Sequence, residues 1–504
     1  MTSIGNKSKV SILRVDNMTY SFAGSNKVGI RHVARALTFL NPDPFAYSHR
    51  IKKFNAKDRT FQIGMLKTLE TYLKENGVEY EVEDYAYALP EGVEIDDRMT
   101  GKYIHQSHAV RRFFERRFGI IVVPTRGGKT FIAAEIMRIF LATDEGNFLF
   151  VTDNRTLFSQ AINDFRTFYE PRYGELRIGE IREGKIDVME RVTERVTVGM
   201  IQTIQSTLSN RCKDAKKKRN LVKYLKELKF LAVDEIHENA SDSKLKIYRK
   251  CKKLEYQLCL SATPYRSGAL VQNLKLREWS GDVVYEISEK TLKERGVLSD
   301  YRVFMLVVNH NDIEYSVAQD DYELYRKELI FNSAYRNGVL RKVIEILQRL
   351  NLKTLLLFQS IEHGKRVERL MGIPFISGET SNKDRERAKT EFLNATGGML
   401  SASGIFKKGV TLPSVEVMIN IDGGLEDANT IQRKGRVLGT TDTKDRSLIL
   451  DFFDEFDAYF TDHSASRLQT YVDAIGERNV GILDTEVDDC YETLERWIRK
   501  WFRL

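Results

Sequence analysis

Gly119-Ile-Ile-Val-Val-Pro-Thr-Arg-Gly-Gly-Lys-Thr130 sets the reading of everything around it. Four β-prone residues run into Pro124 and two adjacent glycines, and the apolar-periodic segment Phe131 to Leu141 follows directly, which predicts strand, tight loop and helix. Such a loop is a phosphate cradle. Gly127 and Gly128 let the backbone wrap an anion with no Cβ in the way, and the free N–H groups that open the helix point at it. Pro124, Thr125, Arg126, Gly127, Gly128, Lys129 and Thr130 are therefore the candidate phosphate-binding residues. In that role Lys129 reaches the β- and γ-phosphates of a nucleotide and the Thr130 hydroxyl holds a magnesium ion. The strict pattern wants Gly where Val123 stands, so a glycine-rich strand-to-helix turn with a surface lysine is the alternative for this segment alone.

At 504 residues the chain exceeds what one core usually supports, and about three or four domains are expected. With 42% hydrophobic and 30% charged residues it reads as globular. No apolar run approaches the roughly 18 residues needed to cross a bilayer, and the first residues lack the basic-then-apolar plan of a signal peptide, so a cytoplasmic protein with no membrane partner is expected. Cys212, Cys251, Cys259 and Cys490 show neither C-x-x-C spacing nor a histidine cluster, against zinc and against a disulfide framework. The net charge of +8 permits a polyanionic partner without demanding one.

Upstream of the loop, residues 1 to 95 form a small α/β pattern: β-prone pieces at Val10 to Val15 and Met18 to Phe22, a helical stretch Val28 to Leu40, a helix Ile63 to Asn76 and a strand Glu79 to Val82. Aromatic and basic residues interleave from Phe45 to Phe54, a mixture suited to phosphate contact with some stacking; a solvated loop explains it equally well. The acidic stretch Leu89 to Gly101 marks a boundary. Gln106 then heads a helix, where its amide can pair with both a donor and an acceptor on an adenine edge, although one Gln by itself carries no weight.

Downstream, strand Phe148 to Thr152 and an amphipathic helix through Leu157, Gln160, Ile162 and Phe165 precede Val196 to Thr203, read as a buried strand ending in polar groups. The basic run Arg211 to Lys229 is most often a solvated helix face, with nucleic-acid contact the sharper reading. Phe230-Leu-Ala-Val-Asp-Glu-Ile-His237 is the second strong signal: a buried strand delivers two carboxylates at its carboxyl end, where open parallel sheets bind ligands. There Asp234 would join Thr130 on the metal and Glu235 would deprotonate an attacking water. Cys259 to Pro264 adds a third strand tipped with hydroxyls. Ser267 to Ser299 reads as a connector, after which strands and helices alternate again from Tyr301 to Ile421. That second unit has no phosphate loop. It carries Gln432-Arg-Lys-Gly-Arg436, an anion clamp in which Arg436 would stabilise γ-phosphate charge; a basic surface helix is the better reading of this segment taken alone. The tail from Ser464 reads as helical, with Leu494, Trp497, Ile498, Trp501 and Phe502 on one face.

These pieces, in this order, resemble the superfamily 2 helicases and translocases. The matching elements are Gln106, Pro124 to Thr130, Val198 to Thr203, Asp234 to His237, Ser261-Ala-Thr263, Leu355 to Ser360, Ser377-Gly-Glu379 with Arg385, Gly409-Val-Thr411 and Gln432 to Arg436. Within the superfamily the chain is most similar to the phage UvsW-type DNA branch-migration helicases, through Tyr47 to Asp84, Arg336-Asn337 and Arg467 to Gly476. The resemblance implies two tandem RecA-like parallel-sheet motor domains, residues 96–290 and 291–457, with a small α/β nucleic-acid-binding domain at 1–95 and a helical tail at 458–504. It also implies ATP and Mg²⁺ as cofactors, with Lys129, Asp234, Glu235, His237, Gln432 and Arg436 catalytic and Gln106 and Arg433 contacting the nucleotide. Ser261 and Thr263 would couple the sites, and Gln160, Gln202, Thr203, Gln359, Ser360, Ser377, Gly378 and Arg385 would contact nucleic acid. The implied partner is branched or forked DNA with single-strand/duplex junctions, or an RNA–DNA hybrid, acted on by a monomer. Arg126, the Asp153-Asn154 pair and Gly439 depart from the family's usual residues.

Overall fold

A computed structural model describes residues 9–16, 19–23, 27–43, 48–85, 87–153, 155–183, 185–187, 195–209, 212–239, 247–248, 250–265, 269–309, 324, 326–403, 412, 414–422 and 444–504. The chain divides into two units, residues 1–124 with 128–287 and residues 125–127 with 288–504.

In the first unit the apolar runs become strands buried on both faces, as a parallel sheet covered by crossover helices requires. The strand order is Lys185–Ile186, Ile178–Arg182, Val196–Met200, Phe148–Thr152, Phe230–Val233, Tyr256–Ser261, Phe118–Val122 and Val283–Glu286. Every pairing is parallel except that of the two-residue edge strand Lys185–Ile186. Aromatic rings tie neighbouring strands together: Phe230 lies 4.6 Å from Phe148 and 5.4 Å from Tyr256, centroid to centroid, and Phe140 of helix Lys129–Thr143 packs edge-on against Phe230. Because the strands share one direction, the residues that follow Val122, Thr152, Met200, Val233 and Ser261 gather on the carboxyl edge.

A second, five-stranded sheet in the same unit has the order Phe54–Asn55, Thr60–Gln62, Thr19–Phe22, Val10–Arg14, Tyr80–Glu83. Alternation puts Val10, Ile12, Tyr20 and Phe22 inside, against Val33 of helix Lys27–Ala36 and Leu69 and Leu73 of helix Leu66–Glu75. Leu274 of helix Leu270–Ser280 enters this same core, and Lys53 pairs with Glu278. The approach is closest at Gly64, where a Cβ would stand 1.7 Å from the Arg277 carbonyl oxygen, so only glycine lets the small sheet seat on that helix.

The second unit is a seven-stranded, wholly parallel sheet in the order Phe375–Ile376, Met399–Ala402, Thr354–Leu357, Val417–Asn420, Arg446–Asp454, Asp300–Val308, Val480–Asp484. Two tandem parallel-sheet α/β domains, as the resemblance implies, are therefore present.

The structure departs from the local sequence reading in four places. The strand expected over Val196 to Thr203 stops at Met200, and helix Ile201–Leu208 begins at once, because Ile201, Ile204 and Leu208 recur at helical spacing. Gln202 and Thr203 thus stand on a first helical turn. The connector Ser267 to Ser299 contains helix Leu270–Ser280 and the sheet's last strand, Val283–Glu286, whose half-buried edge position hides the alternation that marks inner strands. The helical stretch Val28 to Leu40 ends at Ala36, and Thr38–Leu40 pairs with Arg50–Lys52 instead. The tail is not wholly helical: between helices Ala458–Ile475 and Cys490–Phe502, strand Val480–Asp484 extends the second sheet, and Leu494, Ile498 and Trp501 pack into that sheet's core. No helix among the described residues is long and apolar enough to cross a membrane.

Candidate active site

Strand Phe118–Val122 hands over to helix Lys129–Thr143 through the glycine loop, as the opening stretch predicts. Gly128 adopts φ 91°, and a Cβ there would stand 2.1 Å from Gln106 Nε2, so the amide read as a base-edge contact lies directly on the loop. Gly128 gives the helix no side-chain cap and the first turn holds no acidic residue. Its N–H groups and dipole are thereby left suited to an anion. Thr130 lies in that first turn.

Lys129 Nζ lies 3.5 Å from the Val123 carbonyl oxygen and 3.5 Å from Glu235 Oε1. Glu235 follows the end of strand Phe230–Val233 at φ 45°, a conformation costly for a residue with a Cβ and characteristic of functional sites. Arg126, two residues before Gly128, also has positive φ, 70°. Glu235 Oε2 lies 3.4 Å from His237 Nδ1, that nitrogen lies 3.0 Å from Ser261 Oγ, and Ser261 Oγ accepts the Thr263 N–H at 3.1 Å. A continuous line of contacts thus runs from the phosphate-loop lysine across three strand ends to the hydroxyl motif. Burial, then the Glu235 carboxylate, pushes the Asp234 carboxyl up to about 7, while Lys129 opposes the rise. A carboxylate so disfavoured as an anion gains from a cation beside it. That fits a magnesium ion, which takes one or two carboxylates and completes its shell with water and phosphate oxygens.

At neighbouring strand ends, Gln202 Nε2 donates to the Asp153 carbonyl oxygen at 2.6 Å, and Thr203 is buried. Gln160 Nε2 donates to Asp164 Oδ2 at 3.4 Å, one turn along helix Arg155–Tyr173. Burial pushes the Asp164 carboxyl from 3.8 up to about 6, against the lowering effect of Gln160. An acid raised on folding loses stability as pH climbs from its unfolded to its folded pKa, because the native state there holds the extra proton. Asp164→Asn is therefore expected to raise the thermal midpoint at pH 8 and leave it unchanged near pH 4; an effect of the same size at both pH values would contradict this.

In the second unit, Asp422 Oδ2 accepts the backbone N–H groups of Gln359 and Ser360, at 2.5 and 2.8 Å, and Asp422 Oδ1 is hydrogen-bonded to His363 Nδ1. The Gln359 amide oxygen accepts from Arg326 at 3.3 Å, and Ser360 Oγ caps helix Ile361–Met371. Ser377 Oγ accepts the Glu379 N–H, Gly378 follows in an exposed turn, and Arg385 lies on helix Asn382–Asn394. Sequence reasoning misses Asp422 and His363; the available signal is an Asp just past an apolar strand, as at Asp234. Gly409 to Thr411, Gln432, Arg433, Arg436 and Gly439 lie outside the described residues.

Residues 100–266 match the family model described as "Type III restriction enzyme, res subunit", and residues 338–438 match "Helicase conserved C-terminal domain". The chain is a superfamily 2 helicase. Enzymes of this class hydrolyse ATP. Among relatives, this helicase is 22% identical over 395 residues to the "ATP-dependent DNA helicase uvsW" of Enterobacteria phage T4, covering 73% of this chain and 74% of the relative. It is 23% identical over 372 residues to the "DNA 3'-5' translocase XPB2" of Sulfurisphaera tokodaii, covering 67% and 78%. In fold it is similar to S. cerevisiae Dbp5 bound to RNA and ADP BeF3, with a TM-score of 0.53 at 15% identity over 79% of this chain and 93% of that one.

Proposed function

We propose that this helicase couples ATP hydrolysis to the remodelling of branched DNA: fork regression, branch migration, and unwinding of D-loops or R-loops. The observation that carries the ATP-hydrolysis part of the reading is the line Lys129, Glu235, His237, Ser261, Thr263, which joins phosphate loop, carboxylates and hydroxyl motif on one sheet edge. Lys129 and the open N–H groups of its helix bind the β- and γ-phosphates, while Gln106 meets the adenine edge. Thr130 and Asp234 would hold Mg²⁺, which when bound neutralises phosphate charge. Glu235 takes a proton from water as its oxygen attacks the γ-phosphorus and the bond to the ADP oxygen breaks. His237 relays the state of Glu235 to Ser261 and Thr263. Arg436, with Arg433, supplies the counter-charge at the γ-phosphate, and Gln432 of the same motif is a further catalytic contact.

DNA as the polymer follows from the two relatives, both named for acting on DNA. Gln160, Gln202, Thr203, Gln359, Ser360, Ser377, Gly378 and Arg385 contact it, and residues 1–95 bind it ahead of motor domains at 96–290 and 291–457, the second completed by the strand and helix of 458–504. The protein acts as a monomer in the cytoplasm, that of the host if it is phage-encoded. The relative named a translocase favours a second reading, movement on duplex DNA without strand separation. ATPase and strand displacement on single-stranded, blunt duplex, forked, four-way and RNA-containing substrates decide between them. Displacement of forks and four-way junctions supports remodelling; ATPase stimulation by blunt duplex without displacement supports translocation; stimulation by RNA alone overturns both.

A further inference from the structure

Helix Ala215–Glu227, AKKKRNLVKYLKE, carries six cations against one carboxylate. Its Leu221, Tyr224 and Leu225 are buried in the core of the first sheet, so the helix is anchored along one side and cannot turn its charges away. On the opposite side Lys218, Arg219, Val222, Lys223 and Lys226 line an open trough of about 490 Å³. Two of the helix's lysines are occupied nearby: Lys217 faces Asp214, the N-cap, and Lys218 Nζ donates to the Ser209 carbonyl oxygen at 2.9 Å. Glu227 pairs with Lys253 and so does not neutralise its own helix. Among the described residues Arg219, Lys223 and Lys226 have no ion-pair partner. A row of like charges held on a rigid helix carries a repulsive cost that an external polyanion would relieve.

We propose that this ridge is a second DNA-binding surface, one that grips the phosphate backbone of a duplex arm outside the track read by Gln202 and Thr203. The inference rests on the DNA reading above. Helix Ala215–Glu227 packs against helix Ile201–Leu208, which carries Gln202 and Thr203, so a duplex on the ridge adjoins that track on the same motor unit. Lys216 to Lys226 span about 15 Å of helix axis at ~1.5 Å per residue. One strand of B-DNA places a phosphate every ~3.4 Å of axis, so the ridge reaches about four or five of them. The partner is duplex rather than single strand because the exposed side offers no aromatic ring for a base to stack on; Tyr224 is turned inward. Nor does it present an array of amide side chains to read base edges, so the grip is indifferent to sequence.

The test compares wild type with the triple variant Arg219→Ala, Lys223→Ala, Lys226→Ala, and with Lys223→Arg, Lys226→Arg, which keeps the charge. Alanine favours the helix, so the thermal midpoint should hold. Binding to a blunt duplex of about two helical turns and to an oligo-dT of similar length is measured against salt. The proposal expects the slope of log affinity against log salt for duplex to fall by about 2 to 3 in the triple variant, at ~0.9 for each phosphate no longer neutralised, and to stay unchanged in the arginine variant. The oligo-dT slope stays as in wild type. An unchanged duplex slope overturns the ridge, and so does an equal fall on oligo-dT. If wild type itself binds no DNA, the DNA reading fails instead, and the two failures are distinct.

Discussion

Lys129→Ala is expected to remove ATP turnover while DNA binding survives. The Lys129 side chain is only 12% exposed and its ammonium stands between the phosphate loop's own carbonyl at Val123 and Glu235. It is thus already held where a γ-phosphate oxygen would compete with Glu235 for it. Charge stabilisation from a preorganised donor of this kind is worth about 10²- to 10³-fold in rate when one donor is removed. Lys129→Arg keeps the charge but substitutes a planar fork for a point donor, and should recover little. Phosphate release with and without DNA, beside an equilibrium DNA titration, reads both halves. Turnover within a few-fold of wild type would remove this lysine from the site.

Arg336→Met should cost about 3–5 kcal/mol, the usual penalty for leaving one member of a buried ion pair alone. Arg336 is 2% exposed; its Nε donates to Asp454 Oδ1 at 2.8 Å, its Nη2 donates to the Ile421 carbonyl oxygen at 2.8 Å, and the guanidinium lies 4.1 Å from the Phe452 ring centroid. A parallel arrangement holds the next carboxylate: Asp451 accepts from Arg467 at 3.1 Å, Tyr471 at 2.8 Å and Asn420 at 2.9 Å. Together they pin the ends of strands Val417–Asn420 and Arg446–Asp454 with charges that have no route to water. Removing both partners, Arg336→Met with Asp454→Leu, should restore most of the missing stability, because an apolar pair of similar volume no longer strands a charge. Urea melts followed by circular dichroism measure this; a single variant as stable as wild type would show that the pair is not holding the strand ends.

The first motor domain is legible in the sequence because its chemistry is local. A phosphate loop needs its glycines, lysine and threonine contiguous, and the Asp234-Glu235 pair needs only the strand before it, so short windows suffice to place Lys129, Asp234 and Glu235 on the carboxyl edge of one sheet. The link from Glu235 through His237 to Ser261 joins residues more than twenty positions apart, and no spacing rule reports it. Elements at the rim are the least legible. Val283–Glu286 and Val480–Asp484 are sheet edges whose half-exposed faces blur the periodicity that buried strands display. Helix Ile201–Leu208 reads as the end of a strand because β-branched residues straddle the change of period. Arg336 and Arg467 enter the sequence reading only through the family resemblance; their burial follows from their carboxylate partners, Asp454, 118 positions from Arg336, and Asp451, 16 positions from Arg467.

Glu235, held at the carboxyl end of its strand beside Lys129, is proposed to take the proton from the attacking water. Single-turnover phosphate release by Glu235→Gln, with nucleotide binding followed in parallel, tests it most directly. The account predicts retained ATP binding and phosphate release slowed by about 10²- to 10⁴-fold, the range for loss of a general base. Release at the wild-type rate from a variant that binds ATP normally would contradict it.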